Sequence, residues 1–209
     1  MIVWLEKEWI KLSSIYCKDI SITNMLWDEI KICYSHKSRY YHNLEHIYNM
    51  LLQAEKVKNK IEDFHTLKFA IWFHDIIYKP SKKNNEEKSS NLAKSHLKIL
   101  NFDEKRTKDV QNLIISTKKH QLILGKNDDN AYLLDFDLSI LGADWKTYEN
   151  YYQNIRKEYK IYPDLLYNPI RKKILNHFLE RETLYFTEVY QTKYEIQARA
   201  NLNKEIELL

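Results

Sequence analysis

Glycine and proline are nearly missing from this chain, at two and three residues in 209. An all-β protein needs turn glycines at regular intervals, so their scarcity excludes that class and points to helices throughout. No apolar run approaches the roughly eighteen residues that a membrane-spanning helix requires, and mean hydropathy is −0.61. The opening stretch MIVWLEKEWIKL alternates charged and aromatic residues, unlike a signal peptide. The two cysteines, Cys17 and Cys33, show neither a pairing pattern nor metal-type spacing, which suits a reduced, cytoplasmic protein. A strong charge of one sign is also lacking. The net charge is +4, with basic residues dispersed among acidic ones, so no dedicated nucleic-acid interface is expected.

What is present is helical periodicity. The length suits a single domain over residues 1–209, with helical extensions at both ends. Helices are expected over residues 3–19, 23–35, 42–60 and 64–78. Pro80 ends the fourth, and Asn85 is placed to cap the next, which runs to about Leu100. Further helices are expected over 104–119, 131–143, 145–159, 168–181 and 187–208. A polar turn at Gly125–Asn130 and a break at Tyr162–Pro169 separate them. The expectation is an all-α bundle of about ten helices. Sixteen tyrosines and five tryptophans are assigned to its core and helix packing.

The stretch FHTLKFAIWFHDIIY, Phe64 to Tyr78, organises the rest. It is apolar on most of its circumference, so it belongs in the interior. A carboxylate there is costly without a partner, and the imidazole beside it in His74-Asp75 suggests a metal ion as that partner. His42 and His46, four apart, can address one small volume if helical. Downstream, Asp137 lies among Leu133, Leu134, Leu138, Ile140 and Leu141 and is expected to point inward. Asp135 sits about 200° round the same helix and cannot join it on one ion. Imidazoles and carboxylates together suit Mn, Fe, Co, Ni or Zn, with water in the open positions. Such water becomes a hydroxide nucleophile near neutral pH.

The ordered segments YYHNLEH, FHD and FDLS resemble the HD superfamily of metal-dependent phosphohydrolases. The whole chain, including QARANL near its end, is similar to a small, mostly bacterial family of predicted members. That resemblance implies an HD-domain helical bundle in which His46, His74, Asp75 and Asp137 hold a divalent metal ion, Mg included. YHNLEH is also similar to a segment of cyclic-nucleotide phosphodiesterases, in which the first His protonates the leaving oxygen. By that likeness His42 is the general acid. Those enzymes carry a further His where this chain has Tyr78, and their purine-clamping glutamine segment is not found here.

Around this set, Glu86 and Glu87 are candidates for orienting or deprotonating the attacking water, or else are helix-start acids. Arg39 and Lys88 are candidate phosphate contacts. His120 is either an additional ligand or a surface residue beside Lys118 and Lys119. His36, His65, His96 and His177 receive no role. The expected function is hydrolysis of a phosphate ester of a nucleotide or another small phosphorylated metabolite. The alternative is a metal-containing ligand-binding or regulatory module with little catalysis. A purely structural scaffold is the third reading.

Overall fold

The computed structural model describes residues 1–125 and 128–209, and all of its regular structure is helical. Ten α-helices and two short 3-10 turns are found, with no strand among the described residues. Two compact units divide the chain, Met1–Leu133 and Leu134–Leu209. No helix among the described residues is long and apolar enough to cross a membrane.

The first unit holds α1 (Ile2–Ser13), α2 (Ile20–Tyr34), α3 (Leu44–Lys56), α4 (Phe64–Phe73), α5 (Asn85–Ile99) and α6 (Glu104–Thr117). Helix α7 (Asp129–Leu138) begins in it and ends in the second unit. Acidic and amide caps set most of the starts. Asp19, Asn43, Asp63 and Asp103 each accept a backbone N–H two or three residues ahead, and so satisfy donors that have no partner inside the helix. Helix α4 is the central element, with every residue from Thr66 to Phe73 buried. It packs on α3, α5 and α6. Trp9 meets its Trp72 and Phe73, and Trp27 meets its Trp72, in edge-on ring contacts between 5.7 and 6.1 Å. The one charged residue on its buried surface, Lys68, is paired with Glu8 at 2.6 Å and Glu55 at 3.4 Å.

The second unit contains a 3-10 turn at Ser139–Gly142, α8 (Trp145–Glu158), α9 (Asp164–Leu179) and α10 (Glu188–Leu208). The QARANL segment lies in α10 and works there as a clamp. Asn201 donates to the carbonyls of Leu141 and Ala143, both at 2.8 Å. Arg199 donates to those of Leu179, Arg181 and Glu182. Ala198 and Leu202 are fully buried between these contacts.

Several boundaries differ from the sequence expectation. Helix α3 starts at Leu44 because Asn43 caps it, so His42 precedes the helix. Helix α4 stops at Phe73, and His74 is its C-cap. Helix α5 is preceded by Asn84, and Asn85 instead bonds back to Lys79. The helix expected from residue 131 begins at Asp129. Of the polar turn expected at Gly125–Asn130, residues 126 and 127 lie outside the described residues. The break expected at Tyr162–Pro169 is shorter, because α9 starts at Asp164 and runs through Pro169.

Where glycine is scarce, other residues take its backbone work. Asn101 and His120 adopt left-handed φ values of 59° and 47°. At each, the following N–H bonds five residues back, Phe102 to Leu97 and Gln121 to Ser116, closing the ends of α5 and α6. Gly142 is needed for a different reason, since a Cβ there would lie 2.6 Å from the Cβ of Tyr194 and 2.8 Å from its carbonyl oxygen. We expect Gly142→Ala to lower stability by about 1–3 kcal/mol, the usual cost of forced overpacking. A denaturant midpoint unchanged from wild type would show that α10 yields freely at this contact.

Candidate metal centre

His46, His74 and Asp75 place one ligand atom each within 4.8 Å of the others. His46 comes from the first turn of α3, His74 from the end of α4, and Asp75 from the turn that follows. The two Nε2 atoms are 3.2 Å apart. Asp75 Oδ2 lies 3.1 Å from His74 Nε2 and 4.0 Å from His46 Nε2. Ligand atoms held at about 2.1 Å from one ion stand about 3.0 Å apart in an octahedron and about 3.4 Å in a tetrahedron. Two of the three spacings match that range and the third needs only a small inward movement.

The ring orientations suit the same purpose. His74 Nδ1 is 3.0 Å from the Ile71 carbonyl, which can only accept, so Nδ1 carries the proton. A neutral ring in this tautomer presents the Nε2 lone pair to the cluster, as a metal-ligating histidine does. Both histidines are buried, while the Asp75 side chain keeps 14% exposure. Two facing ring nitrogens beside a carboxylate oxygen need either a shared proton or a cation.

The turn carrying Asp75 is fixed from α5. The Ser89 hydroxyl accepts from the Ile77 N–H at 3.1 Å and donates to the Ile77 carbonyl at 3.3 Å. Asn85 accepts from the Lys79 N–H and donates to the Lys79 carbonyl, both at 3.1 Å. These side chains take over backbone groups that would otherwise continue α4. The helix therefore ends at the point where His74 and Asp75 face the cluster.

His42 stands at the edge of the cluster. Its Nε2 is 4.0 Å from Asp75 Oδ2, its side chain keeps 18% exposure, and its ring centre is 6.2 Å from that of His46. The ring stacks on Tyr78 at 4.0 Å. Sequence reasoning placed His42 on one helical face with His46. The two rings are neighbours, but the chain reaches that arrangement through the capped lead-in to α3.

The remaining expected residues separate. Glu86 is half-buried, and burial first, then the charge of Asp75, raise its carboxyl above the usual range, which places it in the field of the cluster. Glu87 is ion-paired with Lys118 of the α6 end, and that hydrogen bond lowers its pKa. Lys88 is exposed on α5. Arg39 was expected to meet a phosphate, yet its guanidinium donates to the carbonyls of His42, Asp75 and Ile76 at 2.7–2.9 Å. His120 serves the backbone turn after α6.

Asp137 belongs to the second unit, half-buried on α7, where its charge acts on the Tyr151 hydroxyl. Asp135, also in that unit, is fully buried. It accepts from the backbone N–H groups of Phe186 and Thr187 and from the Thr187 hydroxyl, at 2.6–2.8 Å. Those three bonds commit it to holding the start of α10, although burial still pushes its carboxyl up to about 6.

The histidines given no role find ordinary partners. His36 meets Ser38, His65 meets the Tyr16 hydroxyl, His96 meets Glu29 and His177 stands near Glu180. Sequence reasoning missed Ser89 and the carbonyl-binding work of Arg39, and gave Asn85 a capping role in place of its bonds to Lys79. The nearest signal was the placement of Arg39 three residues before His42. No family model matches the chain, and no curated protein or solved structure matches it either.

Proposed function

We propose that this chain is a metal-dependent phosphohydrolase of the HD type, acting on a phosphate ester of a nucleotide or another small phosphorylated metabolite. The observation that carries the reading is the convergence of His46 Nε2, His74 Nε2 and Asp75 Oδ2, with 3.1 and 3.2 Å edges, at the end of a helix buried all round. In this reading those three residues hold a divalent ion (Mn, Fe, Co, Ni, Zn or Mg). When bound, the ion supplies Lewis acidity toward a phosphoryl oxygen and lowers the pKa of a water. His74 keeps its ligating lone pair available through the bond from Nδ1 to Ile71. His42 protonates the departing oxygen from the edge of the cluster, and Glu86 holds or accepts the proton of the attacking water. The two free cysteines, Cys17 and Cys33, fit a reducing cytoplasm.

The test is elemental analysis of the purified protein, followed by turnover of a phosphate-ester panel with Mn added. We expect stoichiometric metal, activity lost on chelation, and metal lost in His46→Ala, His74→Ala and Asp75→Ala. A metal-replete protein that hydrolyses none of the panel would favour a ligand-binding or regulatory module.

A further inference from the structure

Four side chains of the first unit form one stack that ends at the cluster. The Arg39 guanidinium carbon lies 4.9 Å from the ring centre of Tyr34 and 5.7 Å from that of Tyr78. The His42 imidazole lies on Tyr78 with ring centres 4.0 Å apart and planes 27° apart. At the far end Tyr34 is buried and its hydroxyl donates to the Trp72 carbonyl at 3.0 Å. The same guanidinium holds three carbonyls. Nη1 donates to His42 at 2.9 Å and to Asp75 at 2.7 Å, while Nη2 donates to Ile76 at 2.7 Å. Arg39 thus joins the backbone of His42, the backbone of the Asp75 turn and the ring on which His42 lies.

The geometry points to Arg39 and Tyr78 as positioning residues for His42, the guanidinium fixing its backbone and the phenol ring fixing its imidazole. This rests on the reading of His42 as proton donor. His42 needs such support because it precedes the cap of α3 and its side chain is partly exposed. A donor displaced by about 1 Å can lose about 10²-fold in rate. A planar, forked cation can reach three carbonyls and an aromatic face together, which a lysine ammonium on its flexible stem does not. Tyr78 acts here through its ring face, so phenylalanine is expected to replace it.

The experiment compares Tyr78→Leu, Tyr78→Phe and Arg39→Lys in the full chain with Mn bound, using an alkyl phosphate and a nitrophenyl phosphate. Tyr78→Leu should keep its metal and its KM while kcat on the alkyl ester falls about tenfold to a hundredfold. The nitrophenyl ester, whose leaving group needs no proton, should fall far less. Tyr78→Phe should restore the alkyl rate. Arg39→Lys should show the same leaving-group selectivity, and it carries the test if the leucine variant does not fold. Equal losses on both esters, or failure of phenylalanine to rescue, would overturn the assignment.

The His42 ring-proton NMR signals report the stack without turnover. They should be shifted by the Tyr78 ring current in wild type and in Tyr78→Phe, and averaged in Tyr78→Leu and Arg39→Lys. Signals that do not respond would refute the stack. If the signals respond but the metal-replete wild type hydrolyses neither ester, the hydrolase reading fails while the positioning of His42 stands.

Discussion

Replacing Glu205 by alanine is expected to lower the stability of the second unit by about 3–5 kcal/mol, the range seen when one partner of a buried ion pair is removed. Arg171 of α9 donates its Nε and Nη2 to the two Glu205 oxygens at 2.7 and 3.0 Å. The Tyr148 hydroxyl of α8 donates to the same carboxylate. Glu205 is 1% exposed and Arg171 is 8% exposed, so water cannot replace the lost partner. Alanine at 205 leaves a buried guanidinium without its counter-charge and a buried phenol without its acceptor. The double variant Arg171→Leu, Glu205→Leu should cost less than the sum of the single changes, because it leaves no uncompensated charge. Urea unfolding of Glu205→Ala, the two leucine single variants and their double variant measures this. A loss below about 1 kcal/mol for Glu205→Ala would mean that the pair behaves as a solvated surface bridge.

That pair shows where sequence reading stops. Arg171 and Glu205 are 34 positions apart, each with charged or polar neighbours in the chain, and nothing local marks either as buried. The helices themselves were legible, because apolar residues recur at helical spacing and two glycines cannot serve an all-β chain. Their ends were less so. Periodicity carried the fourth helix on to Tyr78, whereas Ser89 and Asn85 of α5 draw the chain out of the helix after Phe73. Those bonds are tertiary, and no propensity within residues 64–78 anticipates them. Gly142 was likewise invisible, since the need for a missing Cβ comes from Tyr194, which lies far along the chain.

The candidate site divides along the same line. His74-Asp75 stood out because a carboxylate in an apolar run demands a partner, and His46 joins it in space. Arg39 was read as a phosphate contact because an isolated cation carries no sign of its acceptors, which lie 3, 36 and 37 residues away. Glu86 and Glu87 are adjacent and alike in sequence, yet one lies in the field of Asp75 and the other pairs with Lys118. Asp135 and Asp137 could be separated by helical phase alone. Three hydrogen bonds to Phe186 and Thr187 occupy Asp135 at the start of α10.

His42→Ala is expected to retain the metal and lose about 10²–10⁴ in turnover, the usual contribution of a positioned general acid. The expectation follows from the place of His42 at the cluster rather than inside it. His46 and His74 are 5% and 1% exposed, and their ring nitrogens face each other at 3.2 Å. His42 instead reaches Asp75 only at 4.0 Å, keeps 18% side-chain exposure, and stacks on Tyr78. Its ring can therefore meet an oxygen arriving from solvent without displacing a ligand. In the proposed hydrolysis the proton would pass from His42 to the leaving oxygen as the P–O bond breaks. Removing the imidazole should lower kcat and kcat/KM together while KM changes little, the pattern of an interaction made only in the transition state. A nitrophenyl ester needs no such proton and should be spared most of the loss. Metal analysis alongside the kinetics decides between the roles. Collapse of metal content would make His42 a ligand, and equal slowing of alkyl and nitrophenyl esters would deny it the proton transfer.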